Sequence, residues 1–110
     1  MNQASSVPQV PATEVPADAF LLDVREPDEW DAGHVPGAMH IPLGDLGARY
    51  TEIGRDRPVY VICRTGNRSD YAAKALARAG WDTRNVADGM MGWQAGHRPM
   101  TSESGAPYVA

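Results

Sequence analysis

Val59-Tyr60-Val61-Ile62-Cys63-Arg64-Thr65-Gly66-Asn67-Arg68-Ser69 joins an apolar run to a polar, glycine-bearing loop, and a helical pattern begins where that loop ends. The run Val59 to Ile62 reads as a strand. From Ser69 to Ala79, Tyr71, Ala72, Ala75, Leu76 and Ala79 fall on one face of a 3.6-residue period, and Gly80 supplies the stop. Asp70 in the first turn and Arg78 in the last agree with the helix dipole. A strand, a short loop and a helix N-terminus make an anion cradle, because backbone N–H groups point inward without intrahelical partners. The chain's single cysteine, Cys63, lies at the mouth of this cradle, where a thiolate is stabilised. Gly66 allows positive φ and close backbone approach. Thr65, Asn67 and Ser69 can bond loop or helix-end amides, and Arg64 and Arg68 add positive charge. The segment reads as a reactive-cysteine site.

Working outward, Phe20 to Val24 suits a buried strand, and Pro27 opens a helical turn, Asp28 to Ala32, that Gly33 ends. A turn at Val35-Pro36-Gly37 leads to a brief strand, Ala38 to Ile41. Asp45 to Ile53 predicts an irregular helix weakened by Gly47, Thr83 to Ala87 a strand, and Gly89 to Gly96 a short helix around Trp93. A proline-limited edge strand is expected near Val7 to Val10. The alternation predicts an α/β fold: a small parallel sheet of about four to five short strands with helices on both faces. In such sheets the carboxyl ends of the strands carry the site, which is where Cys63 falls. The expected organisation is a flexible segment over 1–15, one domain over 16–99 and a flexible tail over 100–110.

At 110 residues the chain is long enough for one domain with a real core. A formal charge of −4 argues against a general nucleic-acid or membrane-surface role. No apolar stretch approaches the roughly 20 residues that cross a bilayer, and Met1 to Val10 lacks the features of a secretory signal. One cysteine forms no internal disulfide and no thiolate-rich zinc site. A reducing, cytoplasmic setting follows as the default.

With Cys63 to Ser69 on the page, the chain resembles the single-domain rhodanese (thiosulfate sulfurtransferase) family, whose loop is similar to C-x-x-G-x-R-S. Asp23-Val24-Arg25-Glu26, Glu29-Trp30, Gly33-His34-Val35-Pro36-Gly37-Ala38 and Ile41-Pro42 resemble its first signature. Asn85-Val86-Ala87-Asp88-Gly89-Met90 and Trp93 resemble its second. One departure is Asp88, which stands where that signature has the first of two glycines and is expected to alter a turn or the local field. The resemblance implies a double displacement. Cys63 takes a sulfane sulfur from thiosulfate or a similar anionic donor, and a thiol, cyanide or protein acceptor removes it from the persulfide. Arg64 and Arg68 are then candidates for holding the donor's sulfonate, within a substrate-binding loop of Arg64, Thr65, Gly66, Asn67, Arg68 and Ser69. No metal or organic cofactor is implied.

Other polar residues read as structural. Asp23 and Arg25 close an apolar strand beside the site as an ion pair or loop support. His34 is expected as a turn hydrogen-bonder, and His40 and His97 lack metal-ligand spacing. Trp30 and Trp93 read as core wedges, Met90 and Met91 as gap-fillers, and Glu26 and Glu29 as solvent-facing. A non-turnover sulfur relay or redox-sensing module is the alternative role. A phosphatase or arsenate reductase fits less well, because Ile62 rather than histidine precedes Cys63 and the arginine comes five residues after it, not six.

Overall fold

The structure, a computed structural model, describes residues 6–110. Among them five strands form one sheet: β1 (Gln9–Val10), β2 (Phe20–Asp23), β3 (Met39–His40), β4 (Val59–Ile62) and β5 (Thr83–Val86). Their order is β1-β5-β4-β2-β3 and every pairing is parallel. The helices are α1 (Pro27–Ala32), α2 (Leu46–Arg49), α3 (Asn67–Arg78) and α4 (Gly89–Ala95). The expected α/β fold, with a five-stranded parallel sheet, is therefore observed.

Side-chain alternation along the strands makes two cores on opposite faces. Leu22 and Val24, then Val59, Val61 and Cys63, meet Ala72, Ala73 and Leu76 of α3, with Leu46 of α2 closing that side. Leu21, Ile62 and Val86 point the other way, against Met90 and Trp93 of α4 and the turn at Ala12–Glu14. Cys63 thus continues the α3-facing row of β4 one residue beyond the strand. Thr83 and Asn85 of β5 share that face: Thr83 donates to the Ala73 carbonyl and Asn85 reaches Ser69.

The direction in which successive strands are added across the sheet reverses between β2 and β4. β2 leads outward to β3 through α1, whereas β4 leads the opposite way to β5 through α3. The crevice beyond the carboxyl ends of β2 and β4 is the topological switch point, the usual ligand position in open parallel sheets. Asp23 pairs in register with Ile62, so Val24 and Cys63 emerge side by side there, both on the α3-facing side.

Element bounds differ from expectation mainly at their ends. α3 starts two residues earlier, at Asn67, because Gly66 takes φ +106° and serves as its N-cap. The stretch expected as an irregular helix over Asp45 to Ile53 breaks into α2 flanked by 3-10 turns at Leu43–Asp45 and Tyr50–Glu52. The terminal segments expected as flexible make defined contacts. Ala12 is fully buried in a 3-10 turn (Ala12–Glu14) held by Asp88, and Arg98 donates to the Ala12 and Val15 carbonyls. At the other end Thr101 bridges His34, the Tyr108 amide donates to the Ala32 carbonyl, and Val109 reaches Gln94. The part of the expected N-terminal segment over 1–5 lies outside the described residues.

Candidate active site

The loop between β4 and α3 is clamped from behind by α4. The Met90 amide donates to the Cys63 carbonyl at 2.8 Å and the Met91 amide to that of Arg64 at 3.0 Å. These are first-turn N–H groups that a helix leaves without internal partners, and here the loop supplies them. Such contact requires glycine at two places. A β-carbon on Gly89, at φ +58°, would sit 2.5 Å from both of those loop carbonyl oxygens. A β-carbon on Gly66 would collide with the Ala87 carbonyl oxygen.

Asp88 does not disturb this clamp. Its carboxylate turns toward the N-terminal segment, accepts the Ala12 amide at 2.8 Å and lies over Gly92. The glycine pair of the second signature is thus needed at its second member, and the acid at the first serves as a tether.

Cys63 is 1 % exposed. Its Sγ accepts the Gly66 amide at 3.1 Å and contacts the Ser69 Oγ at 3.2 Å. The sulfur therefore faces the loop interior and the first turn of α3, where the helix dipole favours negative charge. Of the inward N–H groups expected in the cradle, one amide bonds the sulfur among the described residues, joined by one hydroxyl. Thr65 and Asn67 are exposed, and among the described residues neither side chain bonds a loop amide.

The two loop arginines are occupied. Arg68 makes a two-pronged bond to Glu29, Nη1–Oε1 at 2.7 Å and Nη2–Oε2 at 2.9 Å. Hydrogen bonding to Arg68 holds the Glu29 carboxyl below its ordinary range, against an opposing effect of burial. The same pair raises the basicity of Arg68, and an ionised Cys63 would raise it further. The Arg64 Nε donates to the Ala110 carbonyl at 2.9 Å.

Glu29 corrects its expected place in solvent. It sits at the third position of α1 and exchanges bonds with Glu26, forming a reciprocal cap in which each side chain takes the other's backbone N–H. Trp30 is likewise no simple core wedge. Its ring stacks with both His34, at 3.5 Å, and His40, at 4.6 Å, each within 5° of parallel. His34 Nδ1 bonds the Trp30 carbonyl and His40 Nε2 that of Arg25, so each ring nitrogen so placed carries the proton.

Asp23 and Arg25 are both fully buried and paired, with Nη2–Oδ2 at 2.8 Å and Nε–Oδ1 at 3.0 Å. Arg25 also donates to the Gly33 carbonyl at 2.8 Å and the Glu29 carbonyl at 3.3 Å, so one guanidinium ties the end of β2 to the end of α1. The expected helix, turn and strand of this region are thus assembled around a single charge.

Asn85 drew no role from its sequence position. It is buried, and its Oδ1 lies 2.6 Å from the Ser69 Oγ. Its sequence signal was an asparagine inside a strand, a residue type depleted there unless its amide has partners.

These features define an α/β protein with a cysteine-bearing loop at the switch point of a parallel sheet. The chain belongs to the rhodanese-like family: the Rhodanese-like domain matches residues 11–96. It is 37% identical over 86 residues to the Bacillus subtilis protein named "Putative sulfurtransferase YtwF", covering 78% of this chain and 84% of that protein. It is 38% identical over 99 residues to "Putative sulfur carrier protein YrkF" of the same organism, covering 84% of this chain but only 54% of that protein. Among solved structures, a rhodanese-related protein from Thermoplasma volcanium superposes with a TM-score of 0.83 at 29% identity, covering 87% of this chain and 99% of that one.

Proposed function

We propose that this protein transfers sulfane sulfur through a persulfide on Cys63. The observation that carries the reading is the sulfur's position, facing the Gly66 amide and the Ser69 hydroxyl at the start of α3. One amide donor, a hydroxyl able to turn and donate, and a helix N-terminus favour an anionic sulfur. In the first half-reaction the Cys63 thiolate attacks the sulfane sulfur of thiosulfate, the S–S bond breaks, and sulfite leaves with its electron pair. In the second, an acceptor thiolate or cyanide attacks the outer sulfur and Cys63 departs as thiolate. The loop donors then stabilise the charge on sulfur in each direction, as an oxyanion hole does for oxygen.

Burial of Cys63 favours a small donor. Arg64 lies in the loop, with its Nε on the Ala110 carbonyl, and is the candidate for the donor's sulfonate; Arg68 joins it when its bond to Glu29 opens. No metal or organic cofactor has a part in this chemistry. A reducing, cytoplasmic setting suits a site built on one free cysteine.

A relay role, in which sulfur is held for a partner rather than turned over, is favoured by the same burial and by the sulfur-carrier name of YrkF. Intact-mass spectrometry after exposure to thiosulfate tests the main reading. One added sulfur on the protein, absent from Cys63→Ser, is the expected result, and no adduct with any sulfane donor would overturn it. A stable adduct with negligible multiple turnover moves the role to relay.

A further inference from the structure

The Ser69 hydroxyl has one proton and two claimants. Its oxygen is 3.2 Å from the Cys63 sulfur and 2.6 Å from the Asn85 Oδ1. Which of these receives the proton follows from the surroundings of Asn85. The Asn85 Nδ2 lies 3.1 Å from the Gly66 carbonyl, which can only accept, so the amide cannot be reversed. A second anchor agrees. Asp70, held ionised by Lys74 and by Gln9, takes the Gln9 Nε2 at 2.8 Å. That leaves the Gln9 Oε1 to accept from the Asn85 Nδ2, also at 2.8 Å. Two independent acceptors therefore fix Oδ1 toward Ser69, and Oδ1 can only accept.

We propose that Asn85 is a positioning residue for Cys63: it holds the Ser69 proton, turns the lone pairs of that hydroxyl toward the sulfur, and so favours the resting thiol. In this state the thiol donates to the Ser69 Oγ, which donates to Asn85. When the thiol proton departs to solvent, lone pairs facing an anion repel it, and the hydroxyl rotates to donate to Sγ. The buried Asn85 Oδ1 then loses its partner, a cost set against ionisation. Asn85 is thus a restraint on sulfur reactivity, released by the same hydroxyl that stabilises the thiolate.

The charged groups around this chain of bonds belong to other pairings. Arg68 of α3 is taken by Glu29 of α1, Arg64 of the loop by Ala110, and Asp70 of α3 by Lys74 and Gln9 of β1. Among the described residues none of them hydrogen-bonds Sγ. The inference deepens the sulfur-transfer reading and rests on it for its meaning, but its test does not require sulfur transfer.

The test is the rate of Cys63 alkylation by iodoacetamide across pH, followed by intact mass. Asn85→Leu is expected to raise the neutral-pH rate about tenfold and move the profile about one unit lower, a tenfold change in ionisation corresponding to one unit. Asn85→Val, β-branched and suited to a strand, is expected to do the same. Ser69→Ala moves the profile the opposite way, and Ser69→Ala with Asn85→Leu behaves as Ser69→Ala alone. An Asn85→Leu rate at or below that of the unsubstituted protein, or the same effect without the Ser69 hydroxyl, overturns the assignment. In the unsubstituted protein the Asn85 side-chain amide NMR signals are expected to shift with pH in step with alkylation; signals that stay fixed overturn it without any variant. Loss of this pattern leaves the persulfide reading standing, and absence of a persulfide leaves this pattern standing.

Discussion

The backbone of Gly66 rests directly against the carbonyl of Ala87, with no room for a β-carbon between them. This contact sets the height of the loop above β5, and with it the 3.1 Å approach of the Gly66 amide to the Cys63 sulfur. Because Gly66 also takes φ +106°, Gly66→Ala meets both strain and collision. A left-handed residue costs about 1–2 kcal/mol and overpacking about 1–3, so a loss of roughly 2–5 kcal/mol is expected. Urea unfolding checks the stability, and persulfide formation should fall with it. Gly44→Ala, where an added β-carbon meets nothing within 4 Å, should change stability by less than about 0.5 kcal/mol.

Removing one member of the buried Asp23–Arg25 pair leaves an uncompensated charge in the interior. Asp23→Ala is expected to cost about 3–5 kcal/mol, measured by denaturant unfolding. Replacing both partners by Leu and Met should cost much less than the two single changes added together. An additive double variant would mean that the pair is not the source of the penalty.

The Glu29–Arg68 bond is partly exposed, so its worth is modest, about 0.5–1 kcal/mol. Glu29 is held below its ordinary value of 4.5, so its contribution is fully present above that value and is lost as pH falls through the lower folded value. The stability gap between the unsubstituted protein and Glu29→Gln should be constant near neutrality and close in acid, below about pH 4.5. Unfolding curves from pH 7 to 3 would show it. A gap that widens in acid would reverse the sign.

Glu29→Gln also leaves the Arg68 guanidinium less engaged beside the loop. If both loop arginines serve the sulfonate, KM for thiosulfate should fall by roughly two- to fivefold, the scale of one screened charge near a protein surface. Steady-state kinetics at two ionic strengths would separate this from a change in kcat. An unchanged KM would leave Arg64 as the sole candidate.

Asp88→Ala removes the acceptor for the Ala12 amide and should cost about 1 kcal/mol, with alkylation of Cys63 unaffected because the carboxylate turns away from the loop. Asp88→Gly, which recreates the glycine pair, should give no gain in sulfur transfer. A several-fold gain would show that the acid acts on the site after all.

What could be read from sequence was local. The strand Val59–Ile62 and the helix after the loop follow from apolar periodicity over consecutive residues, and the cysteine's place between them is a matter of chain order. Gly66 could be singled out because its neighbours left few other means of turning the chain. The parallel sheet followed from strands alternating with helices, although the bounds of the short α2 region were blurred by Gly47, which weakens any periodic signal there.

Chain order and local pattern suffice to put a lone thiol between a buried strand and a helix N-terminus, because hydrogen-bonding and burial patterns of neighbouring residues dictate those elements. What surrounds the sulfur is set by long-range packing. Glu29 reaches Arg68 across 39 residues, and Asn85 reaches Ser69 across 16. Those meetings depend on strand order and register, which place β5 beside β4, and on the first turn of α1 lying within reach of Arg68. A side chain's intrinsic chemistry is written in its own position, but the partner that neutralises a charge or claims a proton is chosen by folding.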